Sequence, residues 1–112
     1  MPNLDAVFGA LADPTRRRMV ERLARHPMSV GEMSQGFAIS QPGISKHVKV
    51  LEEAGLLKRE IVGRVHRCRL EPKAVEAASI WIDEQRRFWI GALDRLEAYF
   101  SRTSKSKPKR GR

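Results

Sequence analysis

Between Ser40 and Lys49 the chain sets out a row of small polar and basic residues: Ser40, Gln41, Pro42, Ser45, Lys46 and Lys49. None is a nucleophile with a base placed beside it. The chemistry open to such a row is hydrogen bonding and ion pairing across a surface. Glutamine can bond adenine at two points, lysine can reach guanine or phosphate, and serine can donate or accept. A second group follows, with Lys58, Arg59, Arg64, Arg67 and Arg69 inside twelve residues. Gly63-Arg64 puts an arginine at a turn, where a guanidinium can enter a minor groove or grip phosphate.

These side chains act together only if the backbone presents them. At 100° per residue, Ile44, Val48 and Leu51 fall on one side of a helix, with Pro42, Ser45, Lys46 and Lys49 opposite and His47 at the border. Ser40 is a good N-cap with Pro42 in the first turn, and Gly55 suits the position after the helix, so the reading helix is placed at 38–54. Its N-terminal N–H groups favour a phosphate. Leu56–Val62 and Val65–Leu70 read as strands joined at Gly63. On the second strand Val65, Arg67 and Arg69 share one face and His66, Cys68 and Leu70 the other, so not every arginine points the same way. One or two of the arginines are expected to pair with Glu60 or Glu71.

Upstream, Leu4, Val7, Phe8 and Leu11 recur at helical spacing. Asp13-Pro14 starts a second helix with Met19, Val20 and Leu23 on its apolar face, ending near His26-Pro27. Met28–Val30 allows a very short extended stretch. Ser29 with Glu32 forms a capping box for a short third helix with Met33 and Phe37 inward. Glu71-Pro72 opens a long last helix to about Phe100, with a bend or break near Ser79 allowed. The predicted class is mainly α with a small β-hairpin, a winged helix-turn-helix in the order α-α-α-α-β-β-α. Residues 1–100 form the domain with helices at both ends. Residues 101–112 form a disordered basic tail.

The 112 residues suffice for one domain, and the net charge of +9 with a pI near 10.6 favours polyanionic partners. The excess is uneven: residues 1–100 carry +3 and residues 101–112 carry +6. The tail can add nonspecific DNA affinity by counterion release, or act only as a solubilising segment. The single Cys68 excludes an intrachain disulfide and Cys-rich zinc motifs. A lone strand cysteine reads first as an inert apolar residue, and as a redox sensor only if Arg67 and Arg69 face it. No secretory signal and no membrane-length apolar run is visible, so a cytoplasmic location is expected. No Gly-rich phosphate loop occurs, and the adjacent Asp83 and Glu84 diverge on a helix, so no enzyme is expected and no cofactor is called for.

Asp13-Pro14-Thr15-Arg16, the run from Ser40 to Leu57 and the Gly63-Arg64 wing together resemble the ArsR family of bacterial winged-helix repressors, over about residues 3–100. The resemblance implies a homodimer that binds double-stranded DNA at an inverted-repeat operator and represses its own operon. It implies major-groove reading by the Ser40-to-Lys46 positions; with the helix face and hairpin read above, the expected DNA contacts are Ser40, Gln41, Pro42, Ser45, Lys46, His47 and Lys49, with Arg64 and Arg67 on the wing. It also implies dimerisation through the first and last helices, hence through Leu4 and Phe8 and through Trp81, Phe88, Trp89, Leu96 and Tyr99. The family's metal sites are not matched. Residues 29–37 hold no cysteine, residues 72–100 hold no histidine, and His26, His47 and His66 lack ligand spacing. The chain is instead similar to the non-metal-sensing branch.

The last helix carries two apolar stripes, one through Ile82, Trp89, Leu93, Leu96 and Phe100, the other through Trp81, Phe88, Ala92 and Tyr99. A double stripe suits a helix buried by its own domain on one side and by a partner on the other. A larger intrachain core, or an aromatic pocket for a small apolar effector, are the alternatives. Two rival functions remain: a protein-interaction module using the last helix, and a nonspecific DNA-compacting protein using wing and tail. The basic face of the fourth helix favours DNA over the first, and comparison of operator with random DNA separates the second.

Overall fold

The computed structural model of the chain describes residues 2–103. In order, the elements are α1 (Leu4–Leu11), α2 (Pro14–Leu23), β1 (Met28–Ser29), α3 (Val30–Met33), α4 (Gln41–Glu53), β2 (Leu57–Val62), β3 (Val65–Leu70) and α5 (Pro72–Thr103). The chain divides into two compact units, residues 1–79 and 80–112.

In the first unit, local chemistry starts each helix. Asn3 caps α1 by accepting from Ala6 N, and Asp13 caps α2 by accepting from Arg16 N, with Pro14 in its first turn. Ser29 and Glu32 form the expected capping box, each side chain accepting from the other's backbone N–H. Ser40 caps α4 through its bond from Gly43 N. Gly55, at φ +79°, follows the Ala54 C-cap in the left-handed conformation. Helix α2 ends at Leu23, short of His26-Pro27. Ala24–His26 instead turn the chain so that Met28 can join a strand.

That strand gives the sheet a third member. β1 pairs antiparallel with β3, Met28 opposite Cys68 and Ser29 opposite Arg67, and the sheet order is β1-β3-β2. The two-stranded hairpin expected from the sequence is thus anchored by the extended stretch before α3. Gly63, at φ +64°, makes the turn between β2 and β3.

The core collects Val7 from α1, Met19 and Leu23 from α2, Met33 from α3, Ile44, Val48 and Leu51 from α4, and Leu56, Leu57 and Cys68 from the sheet region. Ala74 and Ala78 are the buried residues of α5. Full burial of a side chain such as Leu51 contributes about 1.5–3 kcal/mol. The stripe Ile44–Val48–Leu51 therefore fixes the rotation of α4 about its own axis.

The second unit is the remainder of α5, which is helical through Ser79 and on to Thr103. The break allowed near Ser79 does not occur. In the single chain Ile82, Trp89, Leu93, Leu96 and Phe100 are exposed, and so are Trp81, Phe88 and Tyr99. Phe88 packs edge-on to Trp89 at 6.1 Å between centroids, and Tyr99 to Phe100 at 5.8 Å. The helix extends past Phe100, where the Thr103 hydroxyl donates to the Tyr99 carbonyl. Residues 101–103 are therefore helical, and the tail expected beyond them lies outside the described residues. No helix among the described residues is long and apolar enough to cross a membrane.

Candidate nucleic-acid interface

With Ile44, Val48 and Leu51 buried, α4 turns its other side outward. Ser40, Gln41, Pro42, Ser45, Lys46 and Lys49 are all exposed. The helix thus brings six of the sequence-derived contact residues together on one surface. Ser40 is partly committed, since its Oγ accepts from Gly43 N at 3.2 Å, which leaves its O–H to donate and one lone pair to accept.

His47 differs from the others. It is half-buried, and its Nδ1 lies 3.1 Å from Arg16 Nη1. A guanidinium can only donate, so Nδ1 accepts and the ring proton of the neutral imidazole sits on Nε2. Arg16 also donates from Nε to Ala10 O at 2.7 Å and from Nη2 to Gly9 O at 3.4 Å. Arg17 donates to Leu11 O at 2.9 Å. Two neighbouring arginines therefore satisfy the Ala10 and Leu11 carbonyls at the end of α1, while Gly9 O also accepts from Ala12 N. The hydrogen bond from Arg16 N holds the Asp13 carboxyl below its ordinary range.

The turn before α4 is held from α2. Arg22 Nη1 donates to Met33 O at 2.7 Å and to Gln35 O at 2.8 Å, and its guanidinium stacks 4.5 Å over Phe37. Gly36, at φ +87°, permits the turn. Gly43 permits a close approach: a Cβ there would lie 2.6 Å from Ile39 Cγ2 and 3.3 Å from Ser40 Oγ.

On the wing, Arg64 and Arg67 are exposed. Arg67 stands opposite Glu60 in the β2–β3 register, and Lys58 opposite Arg69. Arg69 reaches Glu71 at 3.6 Å, one of the pairings anticipated. Arg59 instead turns to the inner face, where Nη2 donates to Glu52 Oε1 of α4 at 2.6 Å and Nη1 approaches His66 Nδ1 at 3.4 Å. The Glu52 hydrogen bond raises the Arg59 pKa further. The hairpin tip is apolar around Arg64, with Ile61, Val62 and Val65 exposed. Cys68 is buried, and burial pushes its thiol up, which disfavours the reactive thiolate.

Sequence reasoning missed Arg16, Arg22 and Arg59 as supports because each acts on groups at least six positions away. Only the Asp13–Arg16 run carried a signal, and then only as a motif. Of the residues assigned to a dimer surface, Leu4 and Phe8 are partly buried against the core, and Trp81, Phe88, Trp89, Leu96 and Tyr99 are exposed.

Comparison with known proteins fits this arrangement. A helix-turn-helix domain model matches residues 11–60. The HTH-type transcriptional regulator Rv2034 of Mycobacterium tuberculosis is 40% identical over 89 residues, covering 80% of each chain. The arsenic resistance transcriptional regulator ArsR1 of Pseudomonas putida is 34% identical over 96 residues, covering 85% of this chain and 70% of its own. The crystal structure of the ArsR family transcriptional regulator RHA00566 superposes with a TM-score of 0.73 at 38% identity, over 77% of this chain and 94% of that one. With α4 set into the unit by its apolar stripe and a basic hairpin behind it, the chain belongs to the ArsR family of winged helix-turn-helix transcriptional regulators, DNA-binding proteins rather than enzymes.

Proposed function

We propose that the chain is a homodimeric, autoregulatory repressor that binds an inverted-repeat operator and does so without sensing a metal. The observation that carries the reading is the rotational setting of α4: its apolar stripe is buried while Gln41, Pro42, Ser45, Lys46 and Lys49 are exposed. In this reading Gln41 selects bases, Lys46 and Lys49 contact base edges or phosphate, and the hydroxyls of Ser40 and Ser45 donate alongside them. His47 donates from Nε2 to phosphate. Arg64 leads the wing into the minor groove, and Arg67 grips the backbone beside it.

Dimerisation is supported by the large exposed side chains of α5, since single proteins rarely expose apolar patches beyond a few hundred Å². The aromatic residues that suggested an effector pocket serve in this reading as dimer surface, with Leu4 and Phe8 contributing from α1. Two-fold symmetry then demands half-sites about 34 Å apart. Metal independence is supported by the ligand inventory. The whole chain has one cysteine, it is buried, and among the described residues no three His, Cys, Asp or Glu side chains gather as a metal would need.

Selection from random-sequence DNA tests the reading. The expected outcome is enrichment of one inverted repeat, with Gln41→Ala relaxing choice at one position per half-site by about 1–3 kcal/mol of discrimination. Failure to enrich any sequence contradicts it.

A further inference from the structure

We infer that Arg16 is a positioning residue of the DNA-reading helix, acting through His47. This rests on the DNA-binding reading above and adds a residue that makes no DNA contact in it. Arg16 Nε and Nη2 are aimed at the carbonyls of Ala10 and Gly9, where α1 ends, and Nη1 at His47 Nδ1 in α4. One planar group therefore has a donor on each of three sites in two helices, while its own backbone N–H is held by Asp13. A guanidinium fixed at Nε, Nη1 and Nη2 cannot swing outward to phosphate without giving up those bonds.

The contact does two things for α4. It sets the helix against the end of α1 at a point beside the buried stripe, so that Ser45, Lys46 and Lys49 face outward in one register. It also fixes the His47 tautomer, leaving the proton on Nε2 and the ring turned by its Nδ1 acceptor. Lysine has no second or third donor in a fixed plane, so it cannot replace this arginine. In the proposed dimer α1 lies at the subunit interface, and Arg16, on α2, then bridges an interface helix and the reading helix.

The test is a double-mutant cycle on operator affinity, with scrambled DNA as control and thermal unfolding followed for each variant. Arg16→Met keeps the aliphatic stem and removes the donors. His47→Leu removes the acceptor. His47→Asn restores an acceptor near the Nδ1 position. Arg16→Met and His47→Leu are each expected to lose about tenfold in operator affinity, the size of one lost charge-assisted hydrogen bond. The double variant loses no more than His47→Leu alone, and His47→Asn, which restores the acceptor for Arg16 but not the Nε2 donor, loses clearly less than His47→Leu. Affinity for scrambled DNA changes less than operator affinity in all of them. Additive losses overturn the inference, as does a salt slope that falls by about one on Arg16→Met, which marks a direct phosphate contact.

If Arg16→Met does not fold, the two His47 variants decide, because both leave the bonds to Gly9 and Ala10 in place. Equal losses in His47→Leu and His47→Asn then overturn the inference. Failure of wild type to prefer operator over scrambled DNA would sink the DNA reading instead. The link is still testable in that case by the His47 Nδ1 nitrogen resonance of the DNA-free protein, which shifts on Arg16→Lys if the bond exists and stays put if it does not.

Discussion

Arg59 on β2 and Glu52 on α4 meet at 2.6 Å, tying the C-terminal half of the reading helix to the first strand of the wing. The pair is partly exposed, so its net worth is modest. Arg59→Ala is expected to destabilise the protein by about 1 kcal/mol. The sharper effect is local: amide exchange in β2 and β3 should quicken more than in α2, because the wing loses its side-chain anchor while the main core is untouched. Uniform exchange across both regions would show that the backbone ladder alone holds the wing.

Gly43 and Gly9 form a matched pair of tests. A Cβ at Gly43 would meet Ile39 Cγ2 at 2.6 Å, whereas a Cβ at Gly9 has nothing within 4 Å. Overpacking costs about 1–3 kcal/mol and exceeds the roughly 1 kcal/mol that alanine offers a helix over glycine. Gly43→Ala should therefore lower the urea midpoint. Gly9→Ala, in an open helical position, should raise stability by about 0.5–1 kcal/mol. A stabilised Gly43→Ala would mean that Ile39 yields without cost.

Asp13 and Glu32 give the stability curve its acid limb. Both carboxyls titrate below their ordinary values of 3.8 and 4.5, Asp13 chiefly through the Arg16 backbone N–H and Glu32 chiefly through the Ser29 backbone N–H. A carboxyl depressed in the folded state binds its proton more readily when unfolded. Its contribution is present above the unfolded pKa and disappears as pH falls through the folded one. Stability should thus decline from about pH 4 downward. Asp13→Asn, which also caps helices, should flatten that decline while leaving neutral-pH stability nearly intact. Asp13→Ala should cost about 1 kcal/mol at neutral pH. Chemical denaturation between pH 2 and 7 distinguishes the two, and an unchanged acid limb in Asp13→Asn would assign it to other carboxyls.

Features decided within a few residues were legible in the sequence. The caps at Asp13, Ser29 and Ser40, the helix stop at Gly55 and the turn at Gly63 all depend on nearest neighbours, and the structure has each of them. The buried stripe of α4 was legible for the same reason, since 3.6-residue periodicity is local. Long-range partners were not. The pairing of Met28 with Cys68 turned a short extended stretch into a third strand and ended α2 at Leu23. Periodicity places His47 at the border of the outward face of α4, but it carries no signal for Arg16, 31 positions away, on its Nδ1. For α5, composition showed two apolar stripes, but only the structure shows both exposed in the single chain.

That exposure makes Trp89 the place to probe association. In the dimer reading Trp89, 60% exposed in the single chain, becomes buried against the partner. Buried aromatic anchors at interfaces cost about 2 kcal/mol or more on truncation. Trp89→Ala should therefore shift the mass seen by light scattering from dimer toward monomer at micromolar concentration, with operator affinity falling as the second half-site is lost. A variant that remains fully dimeric would move the interface away from this residue.

Sequence-specific binding by the α4 face can be read from a fluorescence-anisotropy titration. The DNA upstream of the protein's own gene is titrated beside a scrambled duplex of equal length at about 150 mM salt, where specific sites are typically at least 10³-fold tighter than nonspecific DNA. Saturable binding to the upstream duplex is expected at concentrations where the scrambled one stays unbound, with the preference reduced by Gln41→Ala. Equal binding to both duplexes, vanishing together as salt is raised, would contradict it and leave the basic wing and the residues beyond 103 as the source of affinity.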